Sequence, residues 1–233
     1  MSFRRIPLAA AALLIAAPLA AEDLTILSKV SFARSETTST QYITAEFSRS
    51  SSNDTDSIVH FPSGKLTLVD HRKKEYWEMT AEEMEDYWYK MARKMRTSGA
   101  ADVFDLRGES KLEKLPGKQK VAGYDCEHWS LQVGDALEME LWTTPALHVP
   151  ARYFDGRRLA TTAMGPLGLL FQRMYEELKS VKGFPLSTVT VIRTPFSRTE
   201  TNDEAVEVKK GPIPASTFAI PSGYTKTKPP FVK

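Results

Sequence analysis

Two segments of this chain repeat their apolar residues with the period of an amphipathic helix. The first extends from Thr80 to about Arg96, where apolar residues recur every three or four positions. Thr80 and Glu83 have the spacing of a capping box, in which the two side chains satisfy backbone amides of the first turn. The apolar face of this predicted helix consists of Met84, Tyr87, Trp88, Met91 and Met95.

The second helical segment extends from Gly165 to about Val181. Pro166 is favoured at the first helical position, because the amide that proline lacks would be unpaired there in any case. With glycines at 165 and 168, the start of this segment suits a lid over an apolar opening, although a buried helix start explains it equally well. Its apolar face consists of Leu167, Leu170, Phe171, Met174, Leu178 and Val181.

Most of the remaining chain alternates apolar and polar residues with the period of two that is typical of β-strands. The strands come in a run, followed by a helix, more strands, the second helix and the last strands. This order predicts an α+β fold in which two helices cover one face of a curved antiparallel sheet. The predicted strands are 24–32, 43–47, 66–68, 76–79, 117–133, 137–141, 186–193 and 198–209, with a polar tip at 48–56.

The methionine-rich and aromatic faces of the two helices have two possible uses. They either fill the interior as an ordinary core or line a cavity. Methionine is flexible and polarizable, and it is common on surfaces that adapt to varied apolar ligands. The residues predicted to line such a cavity are Met84, Trp88, Met91, Met95, Leu170, Phe171 and Met174.

Residues 1–21 have the three parts of a secretory signal peptide: a basic head at Arg4 and Arg5, an apolar run and a small-residue exit. The apolar run is shorter than the roughly 20 residues that a membrane-spanning helix needs. We therefore expect a soluble periplasmic protein with no permanent membrane anchor. Residues 22–226 are expected to form a single domain, and residues 227–233 a loose tail.

Without residues 1–21 the chain has 29 basic and 29 acidic residues and therefore no formal net charge. A neutral chain without a basic block is a poor candidate for binding nucleic acid or an anionic membrane surface. Cys126 is the single cysteine, so no internal disulfide is expected and packing must hold the fold. We expect Cys126 to be a small buried hydrophobic residue.

The sequence contains no recognised catalytic, metal-binding or cofactor-binding motif. His60, His71, His128 and His148 are not spaced as metal ligands. The serine-nucleophile motifs and the glycine-rich phosphate loop are absent, and Cys126 with His128 is a soft pair without further ligands. We predict no enzymatic activity, no metal site and no cofactor, although a catalytic site assembled from distant residues stays open.

Four short stretches are informative together with their order along the chain: Lys120–Trp129, Glu140–Thr143, Lys182–Leu186 and Phe218–Tyr224. Through them the chain resembles, over about 24–224, a poorly characterised family of exported bacterial proteins related to the lipoprotein-carrier fold. The resemblance implies an open antiparallel half-barrel, strongly curved and capped by helices, with an apolar cavity between them. In the better-known relatives this cavity holds acyl chains of a lipoprotein or lipid in transit across the periplasm.

The pattern and the resemblance together predict a carrier for an apolar ligand, such as an acyl chain, a lipid or a lipoprotein, held between sheet and helices. Burial would drive binding, because each CH₂ group removed from water contributes about 0.8 kcal/mol. The alternative is an interaction or structural module of the cell envelope, with a protein partner and an interior filled by its own side chains.

Overall fold

A computed structural model of the chain describes residues 22–33, 35–98, 108–161, 167–194 and 196–230. These residues form one continuous sheet of twelve strands and three α-helices. The predicted leader at 1–21, the predicted helix start at Gly165 and the last three residues of the predicted tail lie outside them.

The strands are β1 Leu24–Phe32, β2 Ser35–Ile43, β3 Phe47–Ser51, β4 Thr55–His60, β5 Lys65–Asp70, β6 Glu75–Met79, β7 Ser110–Val121, β8 Tyr124–Val133, β9 Leu137–Thr144, β10 Phe184–Thr194, β11 Ser197–Lys210 and β12 Thr225–Lys226. The helices are α1 Ala81–Thr97, α2 Tyr153–Ala160 and α3 Leu167–Leu178, and a short 3₁₀ helix spans Ala215–Phe218. Among the described residues, none of these helices is long and apolar enough to cross a membrane.

The sheet consists of two antiparallel meanders that meet in its middle. Strands β1 to β6 form the first meander and β7 to β11 the second, and β1 joins them by pairing with β11. The two-residue β12 adds to β6 in parallel. Within the described part of the chain β7 and β12 are the two ends of the sheet, so the curved sheet stays open and the predicted α+β class is confirmed.

One face of the sheet is buried against α2 and α3. Strand β9 shows why, because Leu137, Met139 and Leu141 alternate with glutamates and lie on the buried face. From the helices, Tyr153 and Leu170 join the same core cluster. The core therefore lies between the sheet and the helices.

Helix α1 has the ends that its sequence predicts. The side chain of Thr80 accepts a hydrogen bond from the amide of Glu83, and the Glu83 carboxylate accepts one from the amide of Thr80. The predicted capping box is therefore present. On the apolar face of the helix Met84, Trp88 and Met95 are buried.

The expectation of two helices is wrong, because the described residues contain a third α-helix, α2. It has only eight residues, and Gly156 lies in its middle. A Cβ atom at Gly156 would come within 2.8 Å of the Phe61 ring and 3.1 Å of Val59. The absence of a side chain at Gly156 therefore lets the helix approach the sheet closely.

Three strand predictions need correction at turns. Residues 43–47 are not one strand, because the chain turns after Ile43 and the Thr44 hydroxyl accepts a hydrogen bond from the Phe47 amide. The predicted polar tip at 48–56 is mostly strand β3. The predicted strand 117–133 is a hairpin, which turns at Ala122 and Gly123 with positive φ at both residues, as a type I′ turn requires.

Candidate functional site

A cavity lies between the buried face of the sheet and helices α2 and α3. It offers about 90 Å³ to the centres of water-sized molecules, and about 590 Å³ of unoccupied space once its open mouth is counted. A single water needs roughly 10–15 Å³ of the space that is open to the centres of water molecules. The interior therefore has room for several waters or for a small chemical group.

Much of the cavity wall is apolar, and the sequence pattern of two elements explains this. Met139 and Leu141 are successive inward positions of β9. Met174 and Leu178 are four residues apart and lie on one face of α3. Phe184, Leu186 and Ala205 extend the apolar wall along β10 and β11.

The remaining wall is polar. Tyr153 of α2 is buried, and its hydroxyl donates a hydrogen bond of 2.7 Å to Oε1 of Gln41. Burial is the main cause that raises the pKa of Tyr153 above its ordinary value, so the phenol stays neutral at physiological pH. Ser28, Arg157, Tyr175 and Asp203 complete this side.

Arg157 is the positive charge of the cavity. Its guanidinium carbon lies 6.0 Å from the ring centroid of Tyr175. The Coulombic interaction with Tyr175 is the largest cause that raises the pKa of Arg157 above its ordinary value, and burial opposes it. The guanidinium is therefore always charged.

Asp203 is the acidic residue of the cavity, and it reaches the cavity from β11. Burial raises the pKa of its carboxyl above the ordinary value of 3.8, while a hydrogen bond with Ser28 and the charge of Arg157 act in the opposite direction. Among the residues that the structure describes, Asp203 and Arg157 form no salt bridge with each other. The cavity therefore contains an arginine and an acidic side chain that do not form a close ion pair.

Of the seven predicted lining residues, Met174 lies in the wall of this cavity. Leu170, Met84 and Trp88 are buried in the same core cluster, and Met91 and Phe171 pack against that cluster as half-buried residues. Met95 is buried near the end of α1. The structure thus places one of the seven predicted residues in the cavity wall and five more in or against the same hydrophobic core.

Gly168, at the start of α3, has a packing role. A Cβ atom built on it would lie 2.1 Å from the Cη2 atom of Trp88 and 2.6 Å from the carbonyl oxygen of Thr161. The indole of Trp88 therefore occupies the space that a side chain at 168 would need. This close contact accounts for the glycine at 168, and no movement of a lid is needed to explain it.

Sequence reasoning missed the polar residues of the cavity. Arg157 and Tyr153 belong to α2, the helix that was not predicted. Asp203 lies in an otherwise polar strand, but it is two residues before Ala205, which is buried. The sequence signal that could have identified Asp203 is its position two residues before a buried residue, on the same face of the strand.

A second polar network anchors the C-terminal segment. The Asp56 side chain is fully buried, and it accepts hydrogen bonds from Arg49 and from the Ser51 hydroxyl at 2.5 Å. Nε2 of His71 lies 2.8 Å from Asp56, and Nδ1 lies 2.8 Å from the hydroxyl of Tyr224. Arg49 also donates to the carbonyl of Thr217. Tyr224 of the closing motif therefore has a structural role.

Cys126 is buried, as expected, and burial raises the pKa of its thiol. His128 hydrogen bonds to Glu140 and stacks on Trp142, with ring centroids 4.2 Å apart. Within the described ranges, no three His, Cys, Asp or Glu side chains come together as a metal site.

A protein-family model described as a domain of unknown function (DUF4412) matches residues 38–224. No curated protein matches the chain. This chain is similar in structure to PNGF-II, with a TM-score of 0.46, 13% identity, and coverage of 90% of this chain and 32% of that chain.

It is also similar to MucB, with a TM-score of 0.42, 13% identity, and coverage of 87% of this chain and 57% of that chain. The Pseudomonas aeruginosa MucA/MucB complex gives a TM-score of 0.37, 11% identity, and coverage of 84% and 54%. The chain thus spans about a third of PNGF-II and little more than half of MucB.

Proposed function

The chain belongs to the DUF4412 family, a family of unknown function, and we propose that it is a periplasmic carrier for a ligand with an acyl chain. The ligand is held between the sheet and the helices, and no reaction is catalysed. The observation that carries this proposal is the partly apolar, open cavity beneath α2 and α3.

Protein interiors are normally packed as densely as organic crystals. An unfilled space with an apolar wall is therefore a feature that a ligand can use. Met139 and Met174 contribute unbranched, polarizable side chains to this wall, and such side chains adapt to ligands of different shape. Burial of the acyl chain supplies the binding free energy.

The size of the cavity implies that the helices move when a long chain binds. Ligand pockets have volumes of roughly 300–1,000 Å³, and this cavity reaches that range only when its open mouth is counted. In this proposal, the movement of the helices exposes the other six predicted lining residues to the ligand. These are Met84, Trp88, Met91, Met95, Leu170 and Phe171.

Native mass spectrometry of protein purified from the periplasm tests the proposal, together with titration of a fluorescent fatty acid. We expect a co-purifying mass and saturable uptake of the probe. Ala205 lines the cavity, whereas its neighbour Val206 is exposed. Ala205→Leu should therefore weaken uptake about tenfold, or ~1.4 kcal/mol, while Val206→Leu should not change it.

The rival function is an envelope interaction or structural module whose interior is filled by its own side chains. A wild-type protein with a clean apo mass and no uptake of the fatty acid would favour this rival. Equal uptake by wild type and Ala205→Leu would show that the probe binds outside the cavity.

A further inference from the structure

Arg157 is a half-buried arginine whose guanidinium interacts with the side chain of Tyr175. Its carbon lies near the ring of Tyr175, and within the described ranges it forms no salt bridge with a carboxylate. Removing a charge from water is costly unless the charge is paired and hydrogen bonded. The structure therefore has a charged fork of N–H donors at the edge of a cavity.

Asp203 neutralises this charge only in part. It belongs to the same cavity and interacts with Arg157 through space, and its hydrogen bond is with Ser28 instead. A guanidinium has five N–H donors in a planar arrangement that matches a carboxylate. Two parallel hydrogen bonds to one carboxylate are the geometry that this group favours.

The apolar wall lies in the same cavity as this charge. Met174 and Leu178 of α3 belong to one helix face, and Tyr175 next to them interacts with Arg157. A molecule that fits both parts has a charged end and an apolar chain. On the basis of the proposed carrier function, we infer that Arg157 and Tyr175 bind the carboxylate of a single-chain fatty acid.

Asp203 distinguishes a carboxylate from a phosphate head group. A phosphate monoester carries a charge of about −1.5 to −2 at pH 7, whereas a carboxylate carries one negative charge. The Asp203 carboxyl belongs to the same small cavity and, when it is ionised, repels the larger charge more strongly. The site is therefore assigned to a carboxylate.

Isothermal titration calorimetry with decanoate and decan-1-ol tests the inference, because the two probes share the chain and differ in the charge of the head group. The titrations are made at a pH at which decanoate is ionised. Wild type should bind decanoate more tightly than decanol. Arg157→Gln should weaken decanoate binding about ten- to a hundredfold, as expected for the loss of hydrogen bonds to a charged group, and leave decanol binding unchanged.

Arg158→Gln is the matched control. Arg158 is the next residue of α2, and it forms a salt bridge of 3.1 Å with Glu176 and is absent from the cavity wall. The Arg158→Gln variant should bind both probes as wild type does. Should Arg157→Gln fail to fold by circular dichroism, Tyr175→Phe replaces it and should weaken decanoate binding alone.

Four results would overturn the inference. Equal binding of decanoate and decanol by wild type, or equal loss of both in Arg157→Gln, would remove the head-group site and leave the carrier function standing. Tighter binding of decyl phosphate than of decanoate would contradict the assignment to a carboxylate. Binding of neither probe by wild type would refute the carrier function and the head-group site together.

Discussion

Asp56 shows how a single carboxylate stabilises two distant parts of the chain. Its side chain is fully buried and receives hydrogen bonds from β3, while His71 links it to Tyr224. Breaking a buried ion pair by removing one partner leaves an uncompensated charge. The closing segment around Tyr224 is therefore attached to the sheet through Asp56.

Asp56→Ala should lower the free energy of unfolding by about 3–5 kcal/mol, because Arg49 keeps its charge and loses its partner. Urea denaturation measures the change. Asp54→Ala is the control, since Asp54 pairs with Arg72 at an exposed site and its loss should leave the midpoint close to that of wild type. Similar midpoints for both variants would contradict this role.

Asp203 makes stability depend on pH. Burial raises the pKa of its carboxyl in the folded protein above 3.8, so the native state keeps the proton at pH values where the unfolded state has lost it. The stability that this group contributes is therefore fully present below 3.8 and is lost as the pH rises through the folded pKa.

Asp203→Asn should lack this loss, so its stability relative to wild type should increase with pH across that window. Urea midpoints measured at a series of pH values test the prediction. Glu204→Gln, on the exposed face of the same strand, should keep the wild-type pH dependence. A stability difference between Asp203→Asn and wild type that is constant with pH would contradict the account.

Among the elements, α1 and α3 meet in a close contact between Trp88 and Gly168. The indole of Trp88 fills the place that a side chain at Gly168 would take. The carbonyl oxygen of Thr161 lies within 2.6 Å of the same place, so a side chain at 168 would meet a backbone atom as well as the ring. The start of α3 is therefore closely packed against α1.

Gly168→Ala should destabilise the protein by about 1–3 kcal/mol, the usual cost of overpacking a filled core. Thermal unfolding gives the measurement. Trp88→Leu in the Gly168→Ala background should recover part of the loss, because it removes the ring that the new methyl group meets. An alanine variant as stable as wild type would show that the packing here is loose.

The elements that were predicted correctly depend on local signals. Helix α1 has its capping box and apolar stripe within one segment, and β9 has its own alternation. Helix α2 has no such signal, because it has only eight residues, a glycine in its middle and no side-chain cap, and four of its residues are buried against the rest of the protein. The cavity charges were missed for the same reason, since Arg157 belongs to α2 and only tertiary structure brings Asp203 beside it.

In the whole molecule, the sheet and the helices differ in how they are held. Backbone hydrogen bonds join neighbouring strands across the entire sheet, whereas α2 and α3 contact it through side chains. Opening of the cavity should therefore involve the helices and leave the sheet intact.

Hydrogen exchange should show this difference directly. Amides of α2 and α3 are expected to exchange faster than those of β9 and β10, because regions attached by fewer hydrogen bonds open at lower free energy. Saturating decanoate should slow exchange in the two helices, since a ligand stabilises the state that it binds. Unchanged exchange in the helices upon ligand addition would contradict an opening between helices and sheet.

The central claim is that an acyl chain lies inside this protein. Photo-crosslinking with a diazirine-bearing fatty acid tests this claim most directly. After irradiation and digestion, mass spectrometry locates the attached residues. The account predicts labels on the cavity wall, in the peptides that contain Met139 of β9 and Met174 of α3, and their suppression by excess unlabelled decanoate. Labels confined to exposed residues, or unaffected by competition, would contradict it.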